Sequence, residues 1–402
     1  MPEGVRRILD EAGLTILPTG IVKIRESYSI FFRVIAGDNV GDEERAYKAQ
    51  VAYRHECVHF LQAVTTSYVF NYGEQVRSLA GQFCQWLSNK ERDMNSIREL
   101  ISLLNQLEGD LDRESGSTPI DGIGVSPRQL MEATAIIESI RSLHPDIDVF
   151  RLLDEIPRHT NGVLYGRVLG ITIRVFGPST AINITPIIVF LALNALDPGT
   201  AFGEIVTHLF EEYPPSYLDK CGPADIMNLV APNMDGSLIS VFANGQRISM
   251  SPFWNDVGIT FAKSGPLSQM YLVAAYTSSI LAQSSWSKQI DETIRKCVPP
   301  IIMFEDGLGS IQGIGKDLTE GHLRGLLIAT EMIGAMYRVG LNAGYETLCM
   351  QQDCPARSSA LCHMAYPPAP SPIGRWEDCS FRDTFQSISG ETPERFAERY
   401  GL

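Results

Sequence analysis

The chain has no block of consecutive lysines and arginines, no apolar run long enough to span a bilayer, and only seven His among 402 residues. Each shortage excludes something. A formal net charge of −14 without a basic cluster repels phosphate backbones and anionic lipid, so neither nucleic acid nor a membrane is an expected partner. The most apolar stretch, Ile182 to Leu196, is interrupted by Asn183, Pro186 and Asn194 and falls short of the roughly 20 residues that cross a membrane, so it reads as a buried helix. The opening residues, Met1-Pro-Glu-Gly-Val-Arg-Arg-Ile-Leu-Asp-Glu-Ala, carry acids where a secretory signal carries an apolar run. A cytoplasmic location is therefore the expectation, and the eight Cys read as thiols or metal ligands before disulfides. With 44% apolar and 20% charged residues, the composition is that of an ordinary globular chain with a large core, divided into two or three domains.

Against this background one stretch stands out, Val51-Ala-Tyr-Arg-His55-Glu56-Cys-Val-His59-Phe-Leu-Gln62. Residues i and i+4 of a helix share a face about one turn apart, so His55 and His59 can hold one metal ion from the same side. Glu56 can reach the outer shell of such an ion, where a general base for a bound water belongs. The surroundings favour a helix: no Pro or Gly between Asp42 and Tyr68, a cap at Asp42 followed by Glu43 and Glu44, and apolar residues at helical spacing (Ala46, Ala49, Ala52, Cys57, Phe60, Leu61, Val64).

The segment resembles the active-site helix of zincin-type metallopeptidases. That resemblance implies zinc on His55 and His59, Glu56 as base and a third protein ligand downstream. The extended His-x-x-Gly-x-x-His continuation is missing, which favours a third ligand from a separate helix, as in the glutamate-type zincins. Ser126-Pro127 starts such a helix with an N-cap and a Pro at its first position. On it Glu132 sits among Leu130, Met131, Ala133 and Ala135, a setting in which a carboxylate is costly to bury unless paired or metal-bound. Glu132 is the first candidate for third ligand, with Glu74 and Glu138 as competitors and a solvent-facing Glu132 as the plain alternative.

Along the rest of the chain, residues 4 to 13 read as a short amphipathic helix, and 20 to 25 and 28 to 35 as two strands, rich in β-branched and aromatic residues. Gly73 is expected to break the chain after the motif helix, with one or two helices over 74 to 107. Residues 108 to 124, with five acids, four Gly and one Pro in 17 positions, read as a long solvated loop able to overhang a cleft. Between 146 and 345 apolar segments at helical spacing predict a buried helical assembly. Within it Glu155/His159 and Glu204/His208 are i, i+4 pairs that more often make a local hydrogen bond than hold a metal. The Gly-rich stretch 305 to 316 lacks the Gly-Lys-Ser/Thr of a phosphate loop and reads as turns.

The last region gathers Cys349, Cys354, Cys362 and Cys379 with His363 in a Pro-rich segment. Such a segment builds little core of its own and is the kind that a second zinc or an iron-sulfur cluster can fix; reduced thiols packed on the body are the alternative. The expected fold is thus α+β and predominantly helical: a zincin-like metal-site region with a small sheet over 1–145, a helical region over 146–345, and a Cys-rich tail over 346–402. The expected activity is hydrolysis of a peptide or protein substrate by a zinc-activated water, with His144, His159 or Tyr165 as oxyanion donor. Two alternatives come from other classes: a non-catalytic, metal-stabilised subunit of a protein complex, and a non-heme iron oxidative enzyme, for which a single Glu-x-x-His falls short of the paired motif.

Overall fold

A computed structural model describes residues 13–24, 26–35, 43–89, 93–120, 122–144, 147–159, 162–230, 299–304, 309–312, 316, 319–341 and 380–400. The described chain is mostly helical with one small mixed sheet, and it divides into two units. The first comprises Met1–Gln50, Tyr72–Gly109 and Pro299–Leu402, the second Val51–Asn71 and Asp110–Val298.

The first unit holds the sheet, in the order β1 (Gly13–Ile16), β2 (Ile21–Ile24), β3 (Ile301–Phe304), β4 (Gly309–Ile311). β1 and β2 form an antiparallel hairpin, β2 runs parallel to β3, and β3 pairs antiparallel with β4. Gly13 opens β1, while the rest of the expected helix over 4 to 13 lies outside the described residues. β3 is an addition to the helical assembly expected over 146–345, and β4 falls in the stretch that reads as turns. Four apolar residues, Ile301 to Phe304, are too few for a helical period to show, and they become a strand by pairing with β2, far away in sequence.

A second correction concerns 28 to 35, which is a helix, α1 (Tyr28–Ile35), and not a strand. The Ile30 N–H donates to Ser27 Oγ (3.4 Å) and the Phe31 N–H to the Ser27 carbonyl (3.0 Å). Helical spacing then brings Tyr28, Phe31 and Phe32 onto Phe304, with ring centroids 5.3, 5.0 and 6.2 Å away. Packing of three aromatics on one face outweighs their strand propensity.

The motif helix is α2 (Glu43–Thr65), followed by α3 (Ser67–Ser88) and α4 (Met94–Asp112). The break between α2 and α3 falls at Thr66 and not at Gly73, which lies inside α3 beside Pro18. At Thr66 the helical ladder loses its donors to other partners: the Ser67 N–H goes to Asn194 Oδ1 (3.0 Å) and the Tyr68 N–H to the Leu193 carbonyl (3.0 Å). α4 also runs through Asp112, so the expected loop from 108 starts later. Tyr72 and Tyr337 both donate to Glu108 Oε1, the latter at 2.7 Å.

The second unit contains α5 (Pro127–Leu143), α6 (Val149–His159), α7 (Gly162–Phe176), α8 (Pro178–Ala192), α9 (Pro198–Glu212), α10 (Pro215–Leu218) and α11 (Pro223–Val230). α8 is buried along nearly its whole length, with α5, α7 and α9 packed on it. None of the described helices is long and apolar enough to cross a membrane. The connection before α5 is pinned in place: Ser115 and Val125 pair through their backbones, and Gly116 (φ +76°) lies so close to α9 that a Cβ there would come within 2.3 Å of the Gly199 carbonyl oxygen. The remaining described elements, α12 (Glu320–Leu341), α13 (Ser380–Ser389) and α14 (Pro393–Tyr400), belong to the first unit.

Candidate metal centre

Two helices build the site. α2 carries His55 and His59 on one face, and their rings meet edge to face at 4.6 Å. α5 begins where Ser126-Pro127 predicts, in a reciprocal capping box: Ser126 Oγ accepts from the Gln129 N–H (3.2 Å) and the Ser126 N–H donates to Gln129 Oε1 (3.0 Å). That start puts Glu132 in the second turn, facing α2. The small neighbours Ala133 and Ala135 are both 0% exposed.

The three side chains converge. Glu132 Oε2 lies 3.1 Å from His55 Nε2 and 3.2 Å from His59 Nε2, and the two imidazole nitrogens are 3.0 Å apart. These are the residues able to hold a metal ion among those described. Four ligands arranged tetrahedrally about zinc at about 2.0–2.1 Å stand about 3.3 Å from one another, close to the triangle observed. Two imidazoles and a carboxylate are a donor set that fits a divalent ion such as zinc.

Electrostatics point the same way. Burial opposes a charge on His59, but the charge and hydrogen bond of Glu132, the charge of Glu56 and the Gln62 contact outweigh it and lift His59 to about 9. Burial pushes Glu132 up as well, yet His59 and His55 pull it well below the ordinary carboxylate range. Lone pairs crowded to within 3.2 Å need positive charge among them, from a proton or from a metal ion.

Glu56 is buried (2% exposed), and its charge acts on His59. Its neighbour Cys57 is no competing nucleophile, since burial pushes the thiol up to about 12, against a smaller lowering by Tyr53. Of the oxyanion candidates, Tyr165 lies beside the site: it is 2% exposed and its ring lies 5.8 Å from that of His55. His144 is exposed at the end of α5, and the His159 side chain lies outside the described residues.

Among the described residues, neither Glu74 nor Glu138 joins the triad. Glu74 pairs with Arg77 one turn along α3, and Glu138 is buried on α5 without joining the triad. Glu204 is exposed, and His208 Nε2 lies 3.2 Å from the Leu229 carbonyl. The side chain needed for Glu155/His159 is undescribed, and Cys349, Cys354, Cys362 and Cys379 all lie outside the described residues, as does most of 305–316.

The sequence assigns no task to Gln62, although it closes a His-Glu-x-x-His-x-x-Gln pattern with His55, Glu56 and His59. Gln62 Oε1 lies 2.9 Å from His59 Nδ1, and its Nε2 donates to the Met131 carbonyl (3.0 Å). Its signal was its place three residues after His59, one turn along the same face. No known protein family, curated protein or solved structure matches the chain.

Proposed function

We propose that this protein is a zinc-dependent hydrolase acting on an amide bond, in the manner of the glutamate-type zincins, with His55, His59 and Glu132 as the metal ligands. The observation that carries the reading is the convergence of three ligand atoms from two helices within 3.0–3.2 Å of one another, with Glu56 one residue from the first of them. When bound, a divalent ion supplies Lewis acidity to a water and to the substrate carbonyl. Glu56 takes the proton of the attacking water as its oxygen bonds to the carbonyl carbon. It then delivers that proton to the departing nitrogen as the C–N bond breaks, leaving a carboxylic acid and an amine. Tyr165, packed on His55, is the side chain best situated to donate to the developing oxyanion. Peptide-library cleavage by the purified, zinc-loaded protein, with and without chelator, tests this. Chelator-sensitive cleavage that disappears in Glu56→Gln supports it, and a zinc-loaded protein inert to every peptide sinks it.

Burial favours a second reading. His55, Glu56, His59 and Glu132 are only 6%, 2%, 7% and 9% exposed, which suits a metal that stabilises the protein without turning anything over. That reading predicts a zinc-dependent rise in melting temperature and no chelator-sensitive cleavage.

A further inference from the structure

The geometry points to Gln62 as the positioning residue of the metal centre: one amide fixes which nitrogen of His59 faces the ligand triangle and holds α5 at the distance that brings Glu132 to it. The inference rests on the reading of His55, His59 and Glu132 as ligands. A backbone carbonyl only accepts, so the Met131 oxygen fixes the Gln62 amide with Nε2 toward α5 (3.0 Å). Oε1 must then face His59 Nδ1 (2.9 Å), and because that oxygen also only accepts, Nδ1 must carry a hydrogen. The lone pair of the neutral ring is thereby left on Nε2, the nitrogen that lies 3.0 Å from His55 Nε2 and 3.2 Å from Glu132 Oε2. Met131 directly precedes Glu132, so the contact that orients the amide also anchors the backbone beside the third ligand. Gln62 is 6% exposed, so water competes little for either bond. A hydrogen-bonded partner behind a metal-binding imidazole typically alters metal affinity 10–100-fold.

Two substitutions separate this role from mere packing. Gln62→Met keeps the length and bulk of the side chain but loses the acceptor, whereas Gln62→Glu keeps the acceptor and loses the donor toward Met131. With zinc measured in competition against a chromophoric chelator, Gln62→Met is expected to weaken binding about 10–100-fold and Gln62→Glu less than Gln62→Met. If Gln62→Met binds zinc as tightly as wild type, the inference is overturned. Imidazole nitrogen shifts in the zinc-loaded wild-type protein give a check independent of any variant's folding. They should show His59 bound through Nε2 with Nδ1 protonated, and binding through Nδ1 overturns the inference. A wild-type protein that takes up no zinc overturns instead the ligand reading on which this rests.

Discussion

Glu132 and Glu138 stand six residues apart on α5, both buried, at 9% and 0% exposure, and their carboxyl groups are driven in opposite directions. His59 and His55 pull Glu132 below its usual range despite its burial. Burial pushes Glu138 up to about 8, and Arg141 offsets this only in part. Neither Glu138 oxygen meets a hydrogen-bond partner among the described residues, and the hydroxyl of Thr134, one turn earlier, meets none either. One helix thus carries a carboxylate whose charge two imidazoles favour and, nearly two turns on, a carboxyl that burial pushes toward its neutral form. Burial is common to both; the facing side chains decide which can serve as a ligand.

The strongest way to break this comparison is to make the same substitution at both positions. Glu132→Gln keeps the shape and removes the charge, and zinc affinity should fall more than about 100-fold, beyond the range for an outer-shell partner. Glu138→Gln should leave zinc affinity within about twofold. Chelator competition reads both, and equal losses would make the two carboxylates equivalent. Next in size, Glu56→Gln should retain stoichiometric zinc while lowering hydrolysis by about 10²–10⁴, the usual contribution of a general base. Unchanged turnover would remove Glu56 from that role.

What the sequence made legible follows from the range of the interactions. The start of α5 depends on Ser126, Pro127 and Gln129, all within four residues, and could be read directly. The His55/His59 pair could be read too, because helix periodicity alone puts the rings on one face. The break at Thr66 depends on Asn194, and the helical state of 28 to 35 on Phe304, so neither was local. Glu132 and Glu138 are both carboxylates among small and apolar neighbours, and only the packing of α2 against α5 tells them apart. Gln62 was visible as a residue, but its amide orientation comes from a carbonyl on the other helix.

A smaller effect sharpens the contrast through pH. A carboxyl with a folded pKa near 8 and an unfolded one near 4.5 holds its proton longer in the native state. The ionisation of Glu138 therefore adds no cost below about pH 4.5 and increasingly destabilises the fold as pH rises toward 8. Glu138→Gln cannot ionise, so its advantage over wild type should be absent at pH 4 and reach on the order of a few kcal/mol at pH 8 in denaturant titrations. A difference that is flat with pH would mean that Glu138 is ionised in the folded protein.

The smallest effect concerns hydroxyls. Thr134 Oγ1 is buried without a partner among the described residues, whereas the hydroxyls of Thr172 on α7 and Thr185 on α8 meet at 2.7 Å, so that one donates to the other and the second keeps its hydrogen for a carbonyl of its own helix. Valine is nearly isosteric with threonine, so each Thr→Val substitution isolates the hydroxyl. At Thr185 the change leaves Thr172 with one contact fewer and should cost about 1 kcal/mol. At Thr134 it removes a polar atom that gains nothing from being buried, and stability should stay level or rise by up to about 1 kcal/mol. Opposite signs in paired denaturant titrations are the expected outcome. If both variants lose stability alike, Thr134 has a partner after all, and the neutral, unpartnered state of Glu138 one turn away would need the same revision.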